Sequence, residues 1–162
     1  MSAIMMLVVI ALLAMLPHAY AQQDQERLTD NEVRAAYCFG YLKAGQQSLQ
    51  GLCQNLPPPS AQECSAGEQE QNAKTQRILG YLVTKGIFLS PGTNDIGAMI
   101  AVAQGRADFQ SCINWSKTSE STACSAKCVG PDASKSMACL DACMPALCRK
   151  GAACANLTYL PY

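Results

Sequence analysis

Four of the ten cysteines in this chain fall in a register that could do chemistry. The stretch "CSAKCVGPDASKSMACLDAC", residues 124 to 143, carries two Cys-x-x-x-Cys pairs separated by ten residues. Four thiolates so arranged could hold a zinc ion, exchange electrons with a dithiol, or close as disulfides. The spacing favours the third. Zinc sites and exchange-active thiols typically use Cys-x-x-Cys. Cysteines at i and i+4 instead stand on one helix face, one turn apart. Folding two such helices antiparallel places Cys124 beside Cys143 and Cys128 beside Cys139. The expectation is a helical hairpin closed by two disulfide rungs, with no bound metal and no cofactor.

The hairpin needs such clamps. Residues 116 to 136 contain one large aliphatic side chain, Val129. The second helix offers Met137, Leu140, Met144 and Leu147 at three- and four-residue spacing. One stripe against an alanine-rich partner buries little apolar surface, and small units of that kind depend on covalent staples. The segment from Ser119 to Val129 reads as the first helix. Gly130-Pro131 ends it, and Asp132 to Met144 reads as the second.

Other chemistries are poorly provided for. The single histidine, His18, lies in the N-terminal apolar segment. Downstream of that segment there is no Ser-His-Asp or Cys-His apparatus and no Cys/His zinc site. The usual neutral-pH proton shuttle is missing as well. No Gly-x-Ser-x-Gly, phosphate-binding loop, Gly-x-Gly-x-x-Gly or Ser-x-x-Lys is present. Asp30/Glu32 and Glu68/Glu70 are close carboxylate pairs, but neither has the apolar setting that shifts a pKa. We expect no catalytic residue and no enzyme.

The compartment decides how cysteine is read. Residues Ile4 to Leu16 are an unbroken apolar run of thirteen, followed by Pro17, His18 and Ala19-Tyr20-Ala21. The run is short for a membrane span, which needs roughly 20 residues. The small residues suit signal-peptide cleavage after Ala21, although the first charge is Asp24 and no basic segment precedes the run. We therefore expect a signal peptide over 1–21, a helical domain over 22–115, and a cysteine-rich hairpin and tail over 116–162. The expected location is periplasmic or secreted, with no membrane association after cleavage. Twelve basic residues balance twelve acidic ones, so nucleic acid is not an expected partner.

The remaining positions read as helices. Thr29-Asp30-Asn31-Glu32 has capping-box spacing. Val33, Tyr37, Gly40 or Tyr41, Ala44, Ser48 and Leu52 then recur on one helical face. Pro57-Pro58-Pro59 stops that helix. Ser60-Ala61-Gln62-Glu63 is a second capping box, opening a helix to about Lys85 with Gly86 as its stop. Ile96, Met99, Ile100, Ala103 and Ala107 mark a third helix ending near Cys112. No segment alternates well enough to predict a strand. The expected fold is all-α, a small disulfide-rich bundle with a C-terminal hairpin. Cys38 and Cys53 share a helix, roughly 20 Å apart or more, so they cannot pair. Cys53 and Cys64 flank the proline turn and are expected to join. Cys38 and Cys112 then pair with each other or with Cys148 and Cys154. Asn114-Trp115-Ser116 and Asn156-Leu157-Thr158 match the glycosylation sequon.

One stretch carries a family likeness. "AAYCFGYLKAG" followed by "LCQNLP" resembles the opening of the Rap/Tai-type periplasmic immunity proteins, small helical disulfide-bonded proteins that neutralise toxins delivered by type VI secretion. The shared features are the aromatic-Cys-x-Gly-Tyr-aliphatic core at Tyr37 to Leu42, the cysteine before proline at Cys53, and an apolar helix ending near Cys112. The likeness covers residues 30 to 112. The cysteine-rich tail and the polar stretch 63 to 77 depart from that pattern. The resemblance implies a protein that blocks another protein. The residues by themselves support an exported, non-enzymatic, structural or protein-binding role.

Overall fold

The computed structural model describes residues 28–58, 60–89, 95–130, 132–156 and 160. The expected leader, residues 1–21, lies outside them. The described residues form six helices and no strand: α1 Asp30–Cys53, α2 Ser60–Thr84, α3 Ile96–Ser116, α4 Ser119–Cys128, α5 Ala133–Cys143 and α6 Ala146–Ala152, then a 3-10 turn over Ala153–Ala155. The all-α expectation therefore holds.

Local chemistry sets the helix ends. The Glu32 amide donates to Thr29 Oγ1 (3.3 Å), and the Thr29 amide donates to Glu32 Oε2 (2.7 Å), completing the capping box of α1. The second box differs from expectation, because Ser60 is already helical and the Ala61 amide donates to the Pro57 carbonyl at 3.2 Å. Gly86, at φ 74°, stops α2 as its sequence position predicts. The Ile87 amide reaches the Leu82 carbonyl and the Gly86 amide reaches that of Val83, both at 2.9 Å. This is a Schellman closure, and its hydrophobic partners Ile87 and Leu82 are both buried.

α1 is the middle element. α2 runs antiparallel along one side, where Gln46 Nε2 donates to Asn72 Oδ1 at 3.2 Å and Gln50 Nε2 donates to Glu68 Oε1 at 2.8 Å. α3 runs parallel along another side, so Leu28 sits by Gly97 and Tyr37 by Asp108. The α1–α3 contact is backbone on backbone. A Cβ at Gly40 would fall inside the Val102 carbonyl, and one at Gly105 inside the Tyr37 carbonyl. The tail closes a further side of α1, where Gly151 lies flat on the Tyr41 ring and Leu160 enters the core.

This packing corrects two expected stripes. On α3 the buried residues are Ala98, Ala101, Val102 and Gly105. Ile96 and Ile100 point outward, 62% and 64% exposed. On α1, Tyr37 and Gly40 are buried as expected, but Val33, Ser48 and Leu52 are exposed while Ala35, Ala36, Cys38 and Leu42 are buried. The cause is close approach. Helices touching through glycine and alanine leave no room for isoleucine, so the larger aliphatics lie outside the seam. The α5 stripe is also absent from any core: Met137 is 67% exposed, and Leu140, Met144 and Leu147 are only partly covered.

Gly40→Ala and Gly105→Ala should each lower unfolding free energy by about 1–3 kcal/mol, because a methyl group at either site meets backbone. Gly80→Ala, a helical site with open space around it, should raise it by about 0.5–1 kcal/mol. Denaturant unfolding of the oxidised protein measures all three.

Candidate functional site

The structure pairs all ten cysteines and leaves none free. Cys124 joins Cys143 and Cys128 joins Cys139, with Cα separations of 6.0 and 5.4 Å. These are the rungs the i, i+4 spacing implies. Cys53 joins Cys64 across the proline turn at 5.5 Å. The open choice resolves toward the tail: Cys38 joins Cys154 at 5.2 Å and Cys112 joins Cys148 at 5.5 Å. Disulfide-competent Cα atoms normally lie within about 7 Å, so all five have ordinary separations.

The hairpin is built around sulfur. Its buried side chains on α4 are Ser121, Cys124 and Cys128. Each helix carries its own cap: the Ser121 amide donates to Thr118 Oγ1 at 3.2 Å, and the Ser134 amide donates to Asp132 Oδ1 at 3.0 Å. The hydroxyl of Ser134 also donates to Asp132, at 2.8 Å, and these bonds hold its carboxyl below the usual range. The sulfurs of Cys124, Cys128 and Cys143 lie within 4.8 Å of one another, Cys128 and Cys143 at 3.9 Å. That geometry would suit a metal if the sulfurs were thiolates. As disulfides they have no thiolate to offer. Val129, at the α4 end, is 84% exposed. With Met137, it places large apolar surface on the outside of the hairpin.

A second feature lies between the first halves of α1 and α3. It is a groove of about 520 Å³, walled by Val33, Gly97, Ile100 and Ala101. Asp30 and Arg34 line it from α1, Gln104 from α3 and Lys150 from the tail. Two residues displaced from the helix seam, Val33 and Ile100, form part of its walls. The Lys150 ammonium lies 4.0 Å from the centroid of the Tyr37 ring, within cation–π range. Tyr37 Oη donates to Asp108 Oδ2 at 2.9 Å, and Gln104 Nε2 donates to Asp108 Oδ1 at 2.6 Å. Burial, then the bond to Asp108 and its charge, push the Tyr37 phenol far above its ordinary range. Tyr37 is thus a hydrogen-bond donor at neutral pH and cannot act as a tyrosinate base. Tyr41, raised mainly by burial, continues the cluster by meeting Phe109 edge-on at 5.3 Å.

The carboxylate pairs singled out in the sequence have local roles. Glu32 completes the α1 capping box. Glu68 accepts from Gln50, and Glu70 pairs with Lys74 at 2.6 Å, which lowers its pKa. Asp30 is brought to the lower end of the groove, where α1 begins. The groove and its lysine were missed in the sequence. The available signal was the row of small residues at 98, 101 and 105, which competes with Ile96 and Ile100 for the inner face.

Two outcomes are expected. Limiting reductant followed by alkylation should label the accessible Cys139 and Cys143 before Cys38 and Cys154, which are each 1% exposed. No thiol should react before reduction, and labelling that depends on a chelator would make the hairpin a metal site. The second concerns pH. An unfolded tyrosine titrates near about 10, and folded Tyr37 holds its proton more tightly. Its contribution is therefore complete below about pH 10 and is lost as pH rises further, at up to about 1.4 kcal/mol per pH unit. Denaturant unfolding of Tyr37→Phe against the parent between pH 8 and 11 should show a shallower alkaline decline in the variant.

No protein-family model matches the chain, and neither does any curated protein or solved structure at a significant level.

Proposed function

We propose that this chain is an exported, non-enzymatic binding protein of an oxidising compartment, periplasmic or extracellular, and that the clamped hairpin presents its contact surface to another protein. The observation that carries the reading is the inversion of the hairpin. Its interior is sulfur and small side chains, while Val129 and Met137 are 84% and 67% exposed. Apolar side chains held outward on a covalently fixed support lose little entropy when a partner covers them, which is the benefit of pre-organisation. Large exposed aliphatic and methionine side chains also suit protein contact surfaces. Five disulfides fit an environment in which thiols oxidise and remain so. No described helix is long and apolar enough to cross a membrane.

A more specific form follows from the resemblance of residues 30 to 112 to Rap/Tai-type immunity proteins. In that form the partner is a secreted toxin and binding neutralises it. The residues carrying the likeness have clear packing roles here. Tyr37 and Tyr41 stack, Cys38 anchors the tail, and Gly40 admits α3. These are packing roles within this chain, and the choice of target rests on the sequence likeness alone.

The test is affinity capture from the exported fraction of the source cells, using the oxidised chain and a Val129→Asp/Met137→Asp variant. The expected result is one partner at 1:1 stoichiometry, with at least about tenfold weaker binding to the variant, as for loss of an apolar anchor. Equal capture by both proteins, or none by either, removes the hairpin reading. A captured partner with a toxic activity that this chain suppresses selects the immunity form.

A further inference from the structure

The groove between α1 and α3 lies apart from the hairpin and has a chemistry of its own. The apolar part of its lining is Val33 from α1 and Gly97, Ile100 and Ala101 from α3. The volume, about 520 Å³, falls in the range of small-molecule sites, about 300–1,000 Å³. The α1 wall runs from Asp30 to Cys38, a length of about 12 Å at the helical rise, which matches an extended chain of about ten carbons.

The charges at its two ends differ. Asp30 stands at the lower end, in the first turn of α1. Lys150 stands at the upper end, over the Tyr37 ring. Lys150 is exposed and has no carboxylate partner among the described residues. Its backbone is fixed from both sides, because Cys148 is tied to Cys112 and Cys154 to Cys38. The Tyr37 hydroxyl is already given to Asp108 and does not compete for the ammonium. The result is an apolar trough with a positioned cation at one end and an anion at the other.

We propose that this groove binds a medium-chain carboxylate, with the alkyl chain along Val33 and Ile100 and the carboxylate on Lys150. Asp30 disfavours the reverse orientation. Shape and chain length select the aliphatic body, and the two ends select the sign and direction of the head group. This site does not depend on the hairpin being a contact surface, so either reading can fail alone.

The test uses the oxidised full chain and three probes below their micellar concentrations: decanoate, decanol and decyltrimethylammonium. Calorimetric titration gives stoichiometry, and amide chemical-shift mapping gives location. Decanoate should bind 1:1 with shifts at residues 33, 97, 100 and 150, at least about fivefold more tightly than decanol, and the cationic probe should bind more weakly still. Lys150→Gln should bring decanoate down to the level of decanol, while Ile100→Asp should abolish binding of both. Ile100 is 64% exposed, so this variant should keep its fold, which circular dichroism and the disulfide map verify. Absence of saturable decanoate binding, equal binding of the cationic probe, shifts elsewhere on the surface, or an unchanged Lys150→Gln affinity would each overturn the proposal.

Discussion

The close contact between α1 and α3 is the constraint on which the rest depends. Gly40 against Val102 and Gly105 against Tyr37 bring two backbones to a separation that no side chain could share. Dispersion contacts at that distance are dense, and they replace the interlocking of large aliphatics found in most helix pairs. The consequence is displacement. Val33, Ile96 and Ile100 cannot lie in the seam, so they stand along its edge. The groove is a by-product of that close packing, and its position is as rigid as the helix pair itself.

The second organising force is covalent. The tail contributes few large apolar side chains, yet it closes over α1 because Cys154 is bonded to Cys38 and Cys148 to Cys112. The first of these spans 116 residues. In the chain-entropy picture a loop of that size loses about 5 kcal/mol of unfolded-state freedom on closure. The same bonds position Lys150 above Tyr37 and Gly151 against Tyr41. In the hairpin the substitution is more complete. Two disulfides stand where a core would be, which leaves Val129 and Met137 free to face outward.

Much of this was legible before any coordinates. The capping box at Thr29 and Glu32, the stop at Gly86 and the break at the proline run are local signals, written within four or five residues. The hairpin register was legible because i and i+4 fix a helix face, and two faces closing antiparallel admit one pairing order. The Cys53 to Cys64 link was legible because a tight turn fixes what lies beside it. The inner face of α3 was not. Ile96, Met99 and Ile100 have the strongest apolar signal there, but periodicity measures hydrophobicity and does not measure the width of the gap to be filled.

By itself the chain determined five of the six described helices, the cap at Thr29, the stop at Gly86 and the hairpin, because each depends on residues close together in sequence; α6 and the extension of α3 to Ser116 were not legible there. Tertiary structure decided which tail cysteine meets Cys38, which face of α3 turns inward, and that Lys150 comes to rest beside an apolar groove. Those outcomes depend on distances between segments up to 116 residues apart. The inward face of α3 is set by how closely two glycines allow helices to approach, a steric quantity that becomes defined only when both helices are in place.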